Sequence, residues 1–456
     1  MKKIKIILAL SLFIILFSCS NDNSVTEPIL KVPVTTTNQV TDISIYSLKI
    51  SGKLMDAGDA PVTELGFVVG YSSMPTIENN LAKTISQADT EGNFYIIYQS
   101  LPSNTVLYIR AYAINSIGVG YGNEVICTTL TENVFTGTVH LYTQEQVNNF
   151  GANHYTSVDG EIDISGNTIN SLASLSDLIM ANGILNINNT QLTSLNGLNN
   201  LRYVGGMFDI YNNPLLLNFN GLNNLEKVNN SFSIRNNASL INCNGLNNLK
   251  YISNGGDFSI ENNNNLENLS GLDNLKGVSF SLHISYNSKL TSISALSNLE
   301  IINIEIYIND NPLLQSLNGL EKIKKVERLY IINNQALTNL NGLNNIESVG
   351  WVIKIDSNNN LTSLNGLEKV TTLALTGEIT SYLEITGNSN LTSLIGLQNL
   401  SIMGGSNRNL KIINNTNLSG FCPLKTLLTN NQNFNSFNIS NNLTNPNISY
   451  ILTNCP

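Results

Sequence analysis

Residues 208–225 read FDIYNNPLLLNFNGLNNL, and residues 232–249 read FSIRNNASLINCNGLNNL. Set one above the other, the two stretches keep apolar residues at Phe208/Phe232, Ile210/Ile234, Leu216/Leu240, Leu222/Leu246 and Leu225/Leu249. They also keep Asn213/Asn237 and Gly221/Gly245. The offset is 24 residues. Periods of about 20–50 residues mark repeat arrays, in which each unit buries its apolar face only against its neighbours.

The rhythm extends in both directions. A leucine after Gly or another small residue recurs at Leu175, Leu198, Leu222, Leu246, Leu272, Leu296, Leu320, Leu343, Leu367 and Leu397. An isoleucine recurs at Ile164, Ile187, Ile210, Ile234, Ile260, Ile284, Ile308, Ile331, Ile355, Ile385, Ile412 and Ile439, each with an apolar residue two positions earlier. That alternation is a strand with one buried face, which gives about twelve rungs.

Three residues after nearly every one of these isoleucines stands asparagine: Asn167, Asn213, Asn237, Asn263, Asn287, Asn311, Asn334, Asn358, Asn388, Asn415 and Asn442, with Thr190 the exception. A chain turning out of a strand leaves backbone N–H and C=O groups that burial would orphan. A short amide both donates and accepts toward them, and identical amides stack from rung to rung. The expectation is a structural asparagine ladder without catalytic duty. It also explains much of an odd composition, in which about 65 of about 77 asparagines follow residue 150. Cys243 falls where neighbouring rungs place Phe219 and Leu269, and reads as core filler.

The motif L-x-I-x-x-N-x-x-L-x-x-L-x-G-L-x-N-L resembles the receptor L domain. This is the β-helical relative of leucine-rich repeats found in insulin- and EGF-receptor ectodomains and in bacterial surface proteins. Ordinary leucine-rich repeats carry a leucine three positions before the strand's first apolar residue, where this chain often has glycine, as at Gly205. The resemblance implies a right-handed parallel β-solenoid over residues 135–456, and it speaks to fold more than to function.

Solenoid ends need caps. Thr143 to Gln146 fits a capping box opening a short helix, with Val147 and Phe150 on one face. Pro423 and Pro446 suit the first turns of two closing helices. Cys422 and Cys455 flank that closing region, and in an exported protein they are expected to form a disulfide.

Residues 33–131 show short strand-like runs at 44–54, 65–71, 94–98, 106–114 and 119–128, punctuated by Gly, Asn, Asp and Pro. That spacing indicates a small β-sandwich. The stretch Leu101 to Ala113, reading LPSNTVLYIRAYA, resembles the E–F corner of fibronectin type III domains. The resemblance casts Tyr108 as the corner tyrosine, its hydroxyl bonding backbone upstream. The early-strand tryptophan common in that family is missing, since the only Trp is Trp351. Cys127, without an obvious partner, reads as a buried apolar residue.

The chain starts with Lys2, Lys3 and Lys5, then a short apolar run from Ile6 to Phe17, too short to span a bilayer. This is a secretory signal over residues 1–18. Leu16-Phe17-Ser18-Cys19 resembles the lipobox of bacterial lipoproteins, in which Cys19 would carry the lipid. Asn21-Asp22-Asn23 resembles the polar start of surface lipoproteins in Bacteroidetes-like bacteria. A flexible tether then occupies residues 19–32. The reading is a mostly β, outer-membrane lipoprotein facing the surface.

Net charge is -9 and only 12% of residues are charged, so a partner with a phosphate backbone is not expected. The three histidines are far apart, and no phosphate loop, zinc helix, nucleophile elbow or calcium loop occurs. No catalytic residue, metal or cofactor is assigned. Exposed strand positions place Tyr307 beside Tyr330 and Lys354, with Ile332 adjoining and Asn309 and Asp356 as polar rim. Tyrosine enrichment suits recognition. The expected function is extracellular recognition or adhesion to a protein or glycan. A purely structural envelope spacer is the alternative, and a polysaccharide-active β-helix enzyme the remote one.

Overall fold

The computed structural model describes residues 30–99, 101–374, 380–431 and 433–456. The signal segment, Cys19 and nearly all of the tether lie outside the described residues. The chain divides into two compact units, Met1–Thr131 and Glu132–Pro456.

In the first unit, an antiparallel sheet of Val34–Thr37, Leu48–Asp56 and Asn93–Tyr98 is accompanied by a second of Ala82–Ile85, Glu64–Gly70, Val106–Ile114 and Val119–Thr128. Leu48, Ile50 and Phe94 from one sheet share a buried core with Phe67, Val69, Leu107 and Ile109 from the other. The Phe67 and Phe94 rings lie 4.9 Å apart. Two short strands, Val34–Thr37 and Ala82–Ile85, were not foreseen from sequence because their residues, VTTT and AKTI, are small and largely polar. Tyr108 does not act as a corner tyrosine. Along its strand Leu107, Ile109, Ala111 and Ala113 are buried, so Tyr108 faces the other side of the sheet. Its hydroxyl has no hydrogen bond among the described residues. Burial pushes the Cys127 thiol pKa up.

The second unit is a parallel solenoid. One sheet carries a strand from each of thirteen rungs, from Val139–Leu141 to Ser436–Ser440. The extra rung relative to sequence is the first, where Val139 and Leu141 replace the isoleucine. Equivalent residues pair rung to rung: Phe208, Phe232 and Phe258 stand in register, as do Ile210, Ile234 and Ile260. Rings at the first of these positions stack at 4.9 and 5.4 Å. The core repeats with the sequence, and Leu216, Phe219, Leu222, Leu225 and Val228 are all fully buried. Gly221 sits at φ 111°, and a Cβ there would lie 1.9 Å from the Leu195 carbonyl oxygen. Only glycine combines that backbone with that close approach.

The asparagine ladder runs from Asn213 to Asn442. Each Oδ1 accepts the backbone N–H of the equivalent residue on the preceding rung, Thr190 for Asn213 and asparagine thereafter, as in Asn237 N to Asn263 Oδ1 at 3.0 Å. Each Nδ2 donates to the preceding rung's isoleucine carbonyl, as in Asn263 to Ile234 at 3.0 Å. Asn445 closes the series by accepting from Asn442. Asn167 is not a member: it is exposed. The rung before it runs into the helix Gln144–Gly151, where Gln146 already accepts the N–H groups of Tyr142 and Thr143. No inward amide is needed there.

At the C-terminal end, Pro423 lies in the short turn Cys422–Leu424 that leads into the helix Lys425–Asn430. Pro446 lies one residue outside the N-cap Asn447 of the helix Ile448–Asn454, not in its first turn. Cys422 and Cys455 are joined by a disulfide with Cα atoms 5.2 Å apart.

Candidate binding face

Along each rung strand, side chains that alternate with the inward positions face outward. In the main sheet the register sets His283, Tyr307, Tyr330, Lys354, Glu384 and Lys411 in one row. Neighbouring strands stand about 4.8 Å apart, so such a row is a preorganised strip. The Tyr307 and Tyr330 rings are 5.8 Å apart at 57°, and His283 meets Tyr307 edge-on at 5.5 Å. Burial raises both phenol pKa values, reinforced for Tyr307 by Tyr286, Asp310 and Glu305 nearby. Both phenols are therefore neutral hydrogen-bonding groups at physiological pH.

Charges on the strip neutralise one another. Lys354 stands 3.5 Å from Asp356 and 3.6 Å from Glu384, and Lys411 is 2.7 Å from Glu384. Beside the aromatic row, Glu305 accepts from His283 Nε2 at 3.0 Å and stands 3.6 Å from Arg328. The guanidinium of Arg328 lies 4.7 Å over the Trp351 ring. Burial alone would lower the pKa of His283, but the Glu305 hydrogen bond and the Glu305, Asp257 and Glu261 charges outweigh it, leaving it raised.

The expected set is therefore only partly assembled. Tyr307, Tyr330 and Lys354 are consecutive, half-buried neighbours, with Ile332 and Asp356 one row over. Asn309 is not part of a polar rim: it is 4% exposed. It ends the strand of Tyr307 in register between Ser285 and Ile332, and its carbonyl accepts from Tyr286 N and Asn311 Nδ2. Glu305, Arg328 and Trp351 stand three or four residues before the repeat isoleucines Ile308, Ile331 and Ile355, so the repeat pattern itself does not point to them. The signal for them was the length of the strands Lys325–Ile332 and Ser348–Asp356, which begin well before their isoleucines.

A second concavity lies where the other sheet of the solenoid ends at Ile301–Ile302. Lys325 and Val326, on a rung one residue short, pair forward with Ser348 and Val349 and not back with that strand. The resulting groove, about 680 Å³, is lined by Ile301, Glu300, Lys322, Lys324 and Lys325 among others. Lys322 is 3.7 Å from Glu300 and Lys325 is 3.6 Å from Glu327. Among the described residues, no group of three or more His, Cys, Asp or Glu side chains is placed to hold a metal ion. No helix of the described residues is long and apolar enough to cross a membrane.

Fold and face together define a parallel β-solenoid of the kind used as a repeat recognition module. The family model of the receptor L domain matches residues 156–217, so this part of the chain is similar to that domain. A comparison with curated proteins gives no match.

Proposed function

We propose that this is a lipid-anchored, non-enzymatic envelope protein that presents its solenoid outside the cell to recognise or adhere to a protein or glycan. The observation that carries the recognition reading is the aromatic row of His283, Tyr307 and Tyr330, held in register on a strip whose charges are already paired. Tyrosines so placed lose little entropy on binding and offer a large contact area. Anchoring is supported by the lipobox-like Leu16-Phe17-Ser18-Cys19, and outer-membrane residence by Ser20, where many inner-membrane lipoproteins have aspartate. The first unit serves as a fibronectin type III-like spacer, a reading supported by its three- and four-stranded antiparallel sheets. The pairing of Lys354, Glu384 and Lys411 also favours a second reading, a structural envelope protein with an ordinary solvated face.

Glycan and protein arrays probed with the chain lacking residues 1–19 separate the two. Reproducible, saturable binding lost in a folded Tyr307, Tyr330 and Lys354 triple alanine variant supports the recognition face. Binding unchanged in that variant moves the site elsewhere, and absence of binding across both arrays favours the structural reading.

A further inference from the structure

At the corner where the strand ends, just before Thr190 or the ladder asparagine, one residue adopts the left-handed backbone on eleven of the thirteen rungs. The series runs Asn189, Asn212, Asn236, Asn262, Tyr286, Asp310, Asn333, Ser357, Gly387, Asn414 and Asn441. Asn, Asp and Gly tolerate this conformation, whereas a bulky side chain there is an outlier. Tyr286, at φ 58°, is the one aromatic of the series. The residue is 49% exposed, so about half of this aromatic side chain is presented to solvent. A left-handed backbone held by a bulky, exposed aromatic residue points to use at a surface.

Tyr286 stands in a groove of about 340 Å³ that spans four rungs. Around it lie Asn262 and Asn264 on one side, Ser288 on its own rung, and Asp310 and Gln335 beyond. The far wall is fixed: Gln335 donates to Asn333 Oδ1 at 2.5 Å and to the Ser357 carbonyl at 2.8 Å, and Asn333 donates to Asp310. On the near side, the amides of Asn262 and Asn264 and the Tyr286 hydroxyl make no hydrogen bond among the described residues. The groove thus joins an exposed aromatic ring to unengaged planar amides and a held carboxylate. Among the described residues, no lysine or arginine lines it.

We propose that this corner groove binds a neutral hexopyranoside, such as a terminal or internal unit of an uncharged polysaccharide. A sugar ring offers an apolar C–H face to stack on Tyr286. Its vicinal hydroxyls suit amides, which donate and accept side by side, and a carboxylate that accepts from two hydroxyls. The carboxylate, without a cation in the lining, disfavours uronic, sulfated or phosphorylated sugars. The inference rests on the recognition reading in requiring an external ligand, but its residues form a different row from Tyr307 and Tyr330.

The test is isothermal titration of the chain lacking residues 1–19 with cellobiose, mannobiose and chitobiose, and with digalacturonate as the anionic comparison. At least one neutral disaccharide is expected to bind in the millimolar range or tighter, with digalacturonate weaker. Tyr286→Asn installs the residue that most other rungs use, so its melting temperature should hold or rise while affinity falls about tenfold or more. Asn264→Ala, at an exposed residue whose side chain makes no hydrogen bond among the described residues, should also weaken binding, whereas Tyr330→Ala should leave it intact. Absence of binding by all three neutral disaccharides, or unchanged affinity in both Tyr286→Asn and Asn264→Ala, overturns the proposal. Loss of disaccharide binding in Tyr330→Ala alone would also overturn the groove, while supporting the aromatic face.

Discussion

Replacing Asn311 tests whether the ladder holds the solenoid by hydrogen bonding or merely fills space. Asn311 is fully buried. Its Oδ1 accepts from the backbone N–H and the Nδ2 of Asn287, both at 3.2 Å. Its Nδ2 donates to the carbonyls of Ile284 at 2.9 Å and Asn309 at 3.0 Å. Asn309 keeps a second donor in Tyr286 N. In Asn311→Ala, the groups stripped of this partner are chiefly Asn287 N–H and Ile284 C=O. At about 1–3 kcal/mol for each buried group left unsatisfied, the expected loss is about 2–6 kcal/mol. Asn311→Asp separates the explanations, since it keeps the shape and the acceptor but has no donor for Ile284 and sets a charge against carbonyl oxygens. Asp is expected to cost at least as much as Ala at neutral pH, although it restores the volume that Ala removes. Trp351 is the only tryptophan and lies in the solenoid, so its fluorescence during urea unfolding reports this unit alone. An Asp variant within about 0.5 kcal/mol of the parent would refute the hydrogen-bond account.

Four further outcomes are expected. Tyr330→Ala should weaken any ligand of the aromatic face by about 1–3 kcal/mol with an unchanged melting curve, whereas fully buried Ile331→Ala should cost about 2–5 kcal/mol in denaturant unfolding. Cys455→Ser opens a loop with a sequence separation of 33 and should cost the C-terminal cap about 4 kcal/mol on the chain-entropy model, seen as early hydrogen exchange after Leu418. The pKa of His283 is raised above 6.5 in the folded state, so its contribution is fully present below about pH 6.5 and lost as pH rises through the higher folded value; His283→Gln should flatten that part of the stability–pH profile. Cys19→Ala should move the protein from the membrane pellet to the soluble fraction, and retention in the pellet after a high-salt wash would count against lipid anchoring.

The solenoid was legible because its constraints repeat. A residue needed once leaves no statistical trace, but an inward Ile or ladder Asn needed on every rung does. The first rung escaped notice because Val139 and Leu141 meet the same packing demand with different residues. Thr190 marks the boundary of the ladder: its hydroxyl donates to Asn213 Oδ1 at 2.7 Å, but it has no amide to reach back to the earlier rung. Asn167 was included by spacing and excluded by context, since spacing does not show that the preceding turn is a capped helix. In the sandwich, Tyr108 illustrates the other limit. One residue of register decides which face of a strand a side chain takes, and the alternation Leu107, Ile109, Ala111 and Ala113 outweighed a local motif.

Side chains of the outward strip are harder to read from sequence for a physical reason. The repeat makes no demand on an outward position, so outward residues vary freely whether or not they function. The left-handed corner is different, because there the backbone itself disfavours most residues. Asparagine at Asn212, Asn236 and Asn262 satisfies that demand and carries no functional message. The same holds for the Leu-Asn-Asn-Leu turn, where Asn223 Oδ1 accepts from Gly221 N and Asn224 Nδ2 donates to the Asn199 carbonyl. Abundant asparagine is thus absorbed by backbone duties in several parallel rows. Information about ligands lies where a row with a strict backbone requirement is broken by a residue that meets it poorly. Tyr286 is such a break, in a groove that its neighbours leave open. The outward Tyr307 and Tyr330 break no rule, so their claim rests on their adjacency alone. Of the two, only the corner joins a backbone exception to a groove.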